Sequence, residues 1–194
     1  MTATLSSSSP APLLLTGVTW AQLESLETAF QGIAGVRLSY LVGNLEIMTL
    51  SQEHEDLKST LGLLLETYFR SQKIRFYKRG SATRGTQGQG ARKEPDESYN
   101  FDTKKSIPDL VIEVIISSGS ISILDIYQRI GVPEVWLWQG EKLTVYCLAE
   151  TGYQSQSHSQ LLPSLDIDLL AHYANYGDQY DAITEFSQSL AFNS

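Results

Sequence analysis

Three acids in the middle of the chain have the types and spacing to hold a cation. Asp96 follows Pro95, Asp109 stands at the entry to an apolar run, and Glu113 sits inside that run, Leu110-Val111-Ile112-Glu113-Val114-Ile115. The run reads as a buried strand, where an ionised carboxylate is costly unless it is paired or bound to a metal. A hard cation such as Mg²⁺ takes oxygen ligands and keeps several waters, so one or two carboxylates plus a substrate phosphate suffice to hold it. There it would stabilise charge on an attacked phosphate and lower the pKa of a water molecule. Glu55 is a fourth candidate. It lies with Glu53 and Asp56 in the first turn of an expected helix, where the helix dipole favours acids and no further role is needed. Acids flanking strands are common, so the spacing leaves an ordinary structural ion pair open as well.

Other chemistries have less support. His54, His158 and His172 are far apart and the one cysteine, Cys147, falls in a strand pattern, which gives neither zinc-ligand spacing nor an activated thiol. There is no Gly-x-Ser-x-Gly elbow for a serine nucleophile, and the glycines from Gly80 to Gly90 have no phosphate-loop or dinucleotide spacing. Paired carboxylates also serve glycoside hydrolysis, but a chain this short offers few aromatics for a sugar cleft.

These acids need a scaffold, and the pattern around them supplies one. Thr19 with Gln22 forms a capping box ahead of Trp20, Leu23, Leu26 and Phe30 at helical spacing. Alternating runs over 36–41 and 45–48 about Gly43-Asn44 predict a hairpin. Ser51 caps a helix carrying Leu57, Leu61, Leu64, Leu65 and Tyr68 to about Arg70. Ile74 to Tyr77 alternates as a strand, 80–90 reads as a loop, and 100–106 as a turn. After a break at Ser117-Ser118-Gly119 a helix is expected over 121–130, ended by Gly131-Val132-Pro133. Strands follow at 135–138, 143–148 and near Tyr153, then helices over 165–176 and 180–190. Trp136 and Trp138 read as packing residues. Residues 1–12, rich in serine and proline, are expected to be a disordered arm, leaving 13–194 as a single domain with C-terminal helical segments.

At 194 residues and 42% hydrophobic, the chain is long enough for one well-packed core. One cysteine excludes an intramolecular disulfide. No apolar run approaches a membrane span and no basic signal-peptide start is present, so a soluble, cytoplasmic protein without membrane partners is expected. The formal charge is −8, yet 67–93 holds eight bases and no acid, against six bases and all 22 acids elsewhere. Such a segment could track a phosphate backbone with salt-sensitive affinity, or be a solvated surface.

Taken together the motifs resemble a family, the Uma-type restriction endonucleases of the PD-(D/E)XK nuclease superfamily. The matching residues are Gly43-Asn44-Leu45-Glu46-Ile47-Met48, Ser51-Gln52-Glu53-His54-Glu55, Glu94-Pro95-Asp96-Glu97, Pro108-Asp109-Leu110-Val111-Ile112-Glu113-Val114, Ile126-Tyr127, Gly131-Val132-Pro133-Glu134-Val135-Trp136 and Leu162-Pro163-Ser164-Leu165, spanning about 15–170. The resemblance implies a mixed α/β (α+β) fold with a restriction-endonuclease-like core, a central mixed β-sheet flanked by helices. It implies Asp96 and Glu113 as metal ligands and catalytic residues, Glu55 as an accessory catalytic acid, and Asp109 and His54 as supporting residues. The implied activity is hydrolysis of phosphodiester bonds in DNA, dependent on Mg²⁺ or Mn²⁺, and a symmetric cut across two strands would suit a homodimer. One departure stands out. The superfamily lysine two residues after the glutamate is Ile115 here, and its migrated equivalent four residues before the tyrosine is Ile123. Arg129, Lys104 and Lys105 are the bases left to replace it through space. The alternative is a catalytically degenerate nuclease-fold protein that acts as a nucleic-acid-binding or protein-interaction module.

Overall fold

The computed structural model describes residues 11–116, 119 and 121–192. Most of the expected arm, and Ser117 and Ser118 of the expected break, lie outside the described residues. In chain order the elements are β1 (Leu13–Leu15), α1 (Trp20–Phe30), β2 (Val36–Leu41), β3 (Asn44–Thr49), α2 (Gln52–Ser71), β4 (Phe76–Lys78), β5 (Ala91–Lys93), β6 (Glu97–Phe101), β7 (Leu110–Ile115), α3 (Ile123–Ile130), β8 (Glu134–Gln139), β9 (Lys142–Ala149), β10 (Gly152–Gln156), α4 (Ile167–Ala174) and α5 (Gln179–Phe192).

The helix starts follow the caps read from sequence. Thr19 and Gln22 exchange both capping-box hydrogen bonds, and Ser51 Oγ accepts from the His54 N–H at 3.2 Å. Gly131, in the left-handed conformation, ends α3. The hairpin turn falls one residue earlier than expected. Val42 and Gly43 take positive φ of 44° and 84°, the pair of left-handed residues a tight hairpin uses, while Asn44 already pairs with Leu41.

Two sheets result. The larger has the order β10-β9-β8-β7-β6-β4 and is mixed, with β7 and β8 parallel and its other neighbours antiparallel. The smaller, β1-β3-β2-β5, is antiparallel. Side chains alternate across β7. Ile112 and Val114 join Trp136, Trp138, Leu61, Leu65, Phe69 and Phe186 in the main core under α2, α4 and α5. Val111 instead packs with Ile126, Tyr127, Val135 and Ala91 beneath α3. A third cluster, around Leu23, Tyr40 and Leu45, joins α1 to the smaller sheet. Each fully buried large apolar side chain contributes about 1.5–3 kcal/mol, so the main core dominates. This is the mixed α/β architecture expected, a central mixed sheet with helices on its flanks.

Short β5 follows directly on the expected 80–90 loop and has no counterpart in the sequence reading. It exists because Ser39, Tyr40 and Leu41 of β2 pair with Lys93, Arg92 and Ala91, a contact across some fifty residues that no local pattern encodes. The preceding bend brings Gly85 so close that an added Cβ would lie 2.0 Å from the Ala91 carbonyl oxygen, and its φ is +102°. Only glycine fits there.

A buried glutamate organises the far end. Glu134, at the head of β8, accepts from Trp136 Nε1 (2.6 Å), Ser159 Oγ (2.5 Å) and the N–H groups of Gln160 (3.0 Å) and Leu161 (3.3 Å). A buried carboxylate with this many donors is satisfied in place and fastens the 159–161 segment to the sheet.

Candidate active site

Alternation along β7 puts Glu113 on the same face as Val111, away from the main core and toward α3 and the smaller sheet. It is 2% exposed. The N–H of the next residue, Val114, donates to Asp96 Oδ2 at 2.8 Å, which fixes Asp96 beside β7 although it belongs to the connection between β5 and β6. The same Asp96 oxygen lies 3.0 Å from His54 Nε2, on the first turn of α2. The two carboxylates thus face a common cleft of about 280 Å³, with Glu46, Ser39, His54 and Lys93 on its polar wall and Met48, Leu50, Ile121, Leu124 and Leu137 among its apolar lining.

Lys93 is the residue the sequence reading missed. Its ammonium is 3.3 Å from Glu113 Oε2 and donates to Ser39 Oγ at 3.2 Å, with only 5% of the residue exposed. The other carboxylate oxygen of Glu113 accepts from the Tyr127 hydroxyl on α3. Ile115 and Ile123, where a lysine was expected, do line the cleft, and the ammonium comes instead from β5. The proposed substitutes are engaged elsewhere. Lys105 bonds Asp109 at 2.7 Å, Lys104 stands over the Tyr77 ring, and Arg129 donates to the Gln89 carbonyl. The sequence signal for Lys93 was faint: it lies three residues before Asp96, and its place depends on the β2–β5 pairing.

The electrostatics follow from burial and proximity. Burial raises the Glu113 carboxyl to about 7, with the Asp96 charge adding to the rise and Lys93 opposing it. Burial acts the same way on Asp96, but the hydrogen bond and charge of His54, then Lys93 and the Val114 N–H, outweigh it and hold Asp96 below its usual value. Burial alone would lower Lys93, yet Glu113 and Asp96 raise it, so the lysine is a cation. His54 is likewise opposed by burial and raised by Asp96.

The other expected residues are placed further out. Glu55 does not line the cleft; it pairs with Lys58 at 2.8 Å and its second oxygen lies 3.6 Å from His54 Nδ1, inside ion-pair range but too long for a hydrogen bond. Asp109 accepts from the Phe101 N–H (2.9 Å) and from Lys105, closing the turn that leads into β7. Only His54 of these three touches a cleft carboxylate.

Among the described residues no group of three His, Cys, Asp or Glu side chains converges closely enough to hold a metal unaided. The donor set nevertheless suits a hard cation. Asp96 and Glu113 are oxygen donors, each oriented by an outer residue, His54 and Tyr127. Such an ion would complete its coordination with water and substrate oxygens.

A mixed sheet flanked by helices thus brings two carboxylates and a lysine to one cleft. The chain belongs to the Uma2 family, described as "putative restriction endonuclease", whose model matches residues 20–174. Among solved structures it is similar to a putative nuclease from Anabaena variabilis, at 13% identity over 77% of this chain and 90% of that one, with a TM-score of 0.42. No curated protein matches it. No helix among the described residues is long and apolar enough to cross a membrane.

Proposed function

We propose that the chain, as one domain over 13–194, is an endonuclease that hydrolyses DNA phosphodiesters with Mg²⁺ or Mn²⁺. The observation that carries this reading is the buried Lys93 ammonium between Ser39 and Glu113, beside the Asp96 carboxylate. Asp96 and Glu113 would hold the cation, which when bound supplies Lewis-acid stabilisation of the phosphate and eases deprotonation of water. The chain's own groups do the rest. His54 and the Val114 N–H hold Asp96 in one orientation, and Tyr127 does the same for Glu113. Lys93, kept protonated by its acidic neighbours, acts as a fixed positive charge toward the phosphate as negative charge builds on it. The degenerate-module alternative was motivated by Ile115 and Ile123, and Lys93 removes most of that motive.

The test is metal titration by calorimetry on wild type, Asp96→Ala and Glu113→Ala, with nicking of supercoiled plasmid as the second readout. The reading expects one metal event in wild type, lost in both variants, and nicking that needs the metal. Equal titrations in all three proteins, or a wild type that binds metal and DNA without cutting, would favour the noncatalytic module.

A further inference from the structure

The eight bases of 67–93 are not equivalent in the fold. Lys78 pairs with Glu66 (3.0 Å) and Glu97 (3.1 Å), Arg92 with Glu27 (2.7 Å), and Lys93 stands in the cleft beside Glu113. Among the described residues, Arg79 and Arg84 form no ion pair with a carboxylate. Both are half-buried, and Arg79 Nε, Arg84 Nε and Arg84 Nη2 are shut off from solvent with no hydrogen-bond partner. Arg92 Nε also lacks a well-angled bond, but it has Glu27 beside it. Arg84 Nη1 donates to the Ser106 carbonyl at 3.3 Å, and the Nε–Nη2 edge of that guanidinium is left without a partner. That edge grips a carboxylate or phosphate with two parallel hydrogen bonds. Burying donors without partners is costly, and an anion would satisfy them.

Their direction is set by strand pairing. Arg84 is bridged to Lys93 by backbone bonds of 2.8 and 3.0 Å, and Lys93 is paired with Ser39, itself opposite Glu46. Paired residues in antiparallel strands share a face, so Glu46, Ser39, Lys93 and Arg84 form a row across the smaller sheet, Arg84 lying about 4.8 Å beyond Lys93. Arg79 continues β4, its N–H bonded to the Ser98 carbonyl at 2.7 Å. Lys78 reaches Glu66 on the α2 face, so alternation sends Arg79 to the other face, the one carrying Glu113. Arg84 responds to its surroundings: burial lowers its pKa first, then the nearby charge of Arg79, while Tyr127 pulls it back.

We propose that Arg79 and Arg84 form a binding site for a backbone phosphate of the nucleic-acid strand, adjacent to the phosphate attacked at Asp96 and Glu113. This rests on the nuclease reading for its ligand. Lys93 serves the reacting phosphate and the arginine pair holds its neighbour, which fixes the strand's position along the cleft without reading its sequence.

The experiment uses the full chain and a fluorescent oligonucleotide duplex without divalent metal, so that binding is read by anisotropy apart from cleavage. Wild type, Arg79→Gln/Arg84→Gln, Arg79→Lys/Arg84→Lys and an Arg70→Gln/Lys73→Gln control are titrated across a salt series, with thermal melts to establish folding. The glutamine pair is expected to bind about tenfold or more weakly and to lose roughly one to two units of the log–log salt slope. The lysine pair should keep most of that slope and the control should match wild type. A glutamine pair that melts like wild type and keeps its affinity and slope overturns the proposal, as does a wild type that binds no nucleic acid. Inorganic phosphate binding lost in the glutamine pair, with oligonucleotide binding unchanged, also overturns it by making the ligand a free anion. Failure of the nuclease reading is separate: wild type would then show the salt-dependent binding and its loss in the glutamine pair, but no metal-dependent nicking.

Discussion

Replacing Lys93 with methionine removes a buried ammonium while keeping the length of the side chain. Glu113 then loses the charge 3.3 Å away but retains the Tyr127 hydroxyl. Breaking a buried ion pair by deleting one partner costs about 3–5 kcal/mol. Here the carboxyl is already lifted to about 7 and can take up a proton instead of staying charged, so the cost should fall at the lower end, about 3 kcal/mol. In a chain of this size that lowers Tm by roughly 6–12 °C. Lys93→Met/Glu113→Gln removes both charges and should regain about 1–3 kcal/mol relative to the sum of the single variants. For turnover, the loss of a positioned charge-handling group is worth about 10²- to 10⁴-fold, so nicking by Lys93→Met should drop by that factor while Lys93→Arg keeps a measurable share. Melting curves and plasmid nicking on wild type, Lys93→Met, Glu113→Gln, the double variant and Lys93→Arg read both effects. Additive melting shifts would refute the ion-pair reasoning, and wild-type nicking by Lys93→Met would refute the assignment of Lys93 to the chemistry.

Gly85→Ala forces a Cβ into the Ala91 carbonyl at a left-handed φ; the expected loss is at least ~2 kcal/mol, about 4–8 °C in Tm, with nicking reduced because the Arg84–Lys93 bridge must shift. A melt indistinguishable from wild type would show that the bend is not needed. Burial, and then Glu134, push the Cys147 thiol up to about 11, so at pH 8.5 a thiol reagent should modify the native protein ~100-fold more slowly than the urea-unfolded chain; equal rates would contradict the buried, protonated thiol.

What could be read in advance was local. Thr19 with Gln22, Ser51 and Gly131 announce helix ends because a cap bonds within three or four residues of itself. The apolar run over 110–115 announced β7, and the misfit of Glu113 within it drew attention to the cleft. Asp96 was named beforehand as a candidate metal ligand, and its carboxylate accepts from the Val114 N–H. Lys93 was not legible, since Ala-Arg-Lys has no strand alternation and its partner Ser39 is far back in the chain. Tyr127 was noted as a matching residue without a role, because its hydroxyl reaches Glu113 only once α3 lies across the sheet. Ile74 to Tyr77 was displaced to Phe76–Lys78 for a similar reason: the pairing with β6 starts at Phe76.

The row of Glu46, Ser39, Lys93 and Arg84 has a consequence for how such a chain can change. These four residues come from separate stretches and share a face only through the offsets at which β3, β2, β5 and the Arg84 segment pair. A one-residue slip in either hairpin partner turns alternate side chains to the opposite face. Inserting a single residue between Leu41 and Asn44, remote from the carboxylates, is therefore enough to withdraw Glu46 from its place opposite Ser39, and a slip at β5 does the same to Lys93. Loop lengths carry part of the site's geometry, and a descendant of this chain can lose that arrangement with every acid and base of the cleft still in its sequence.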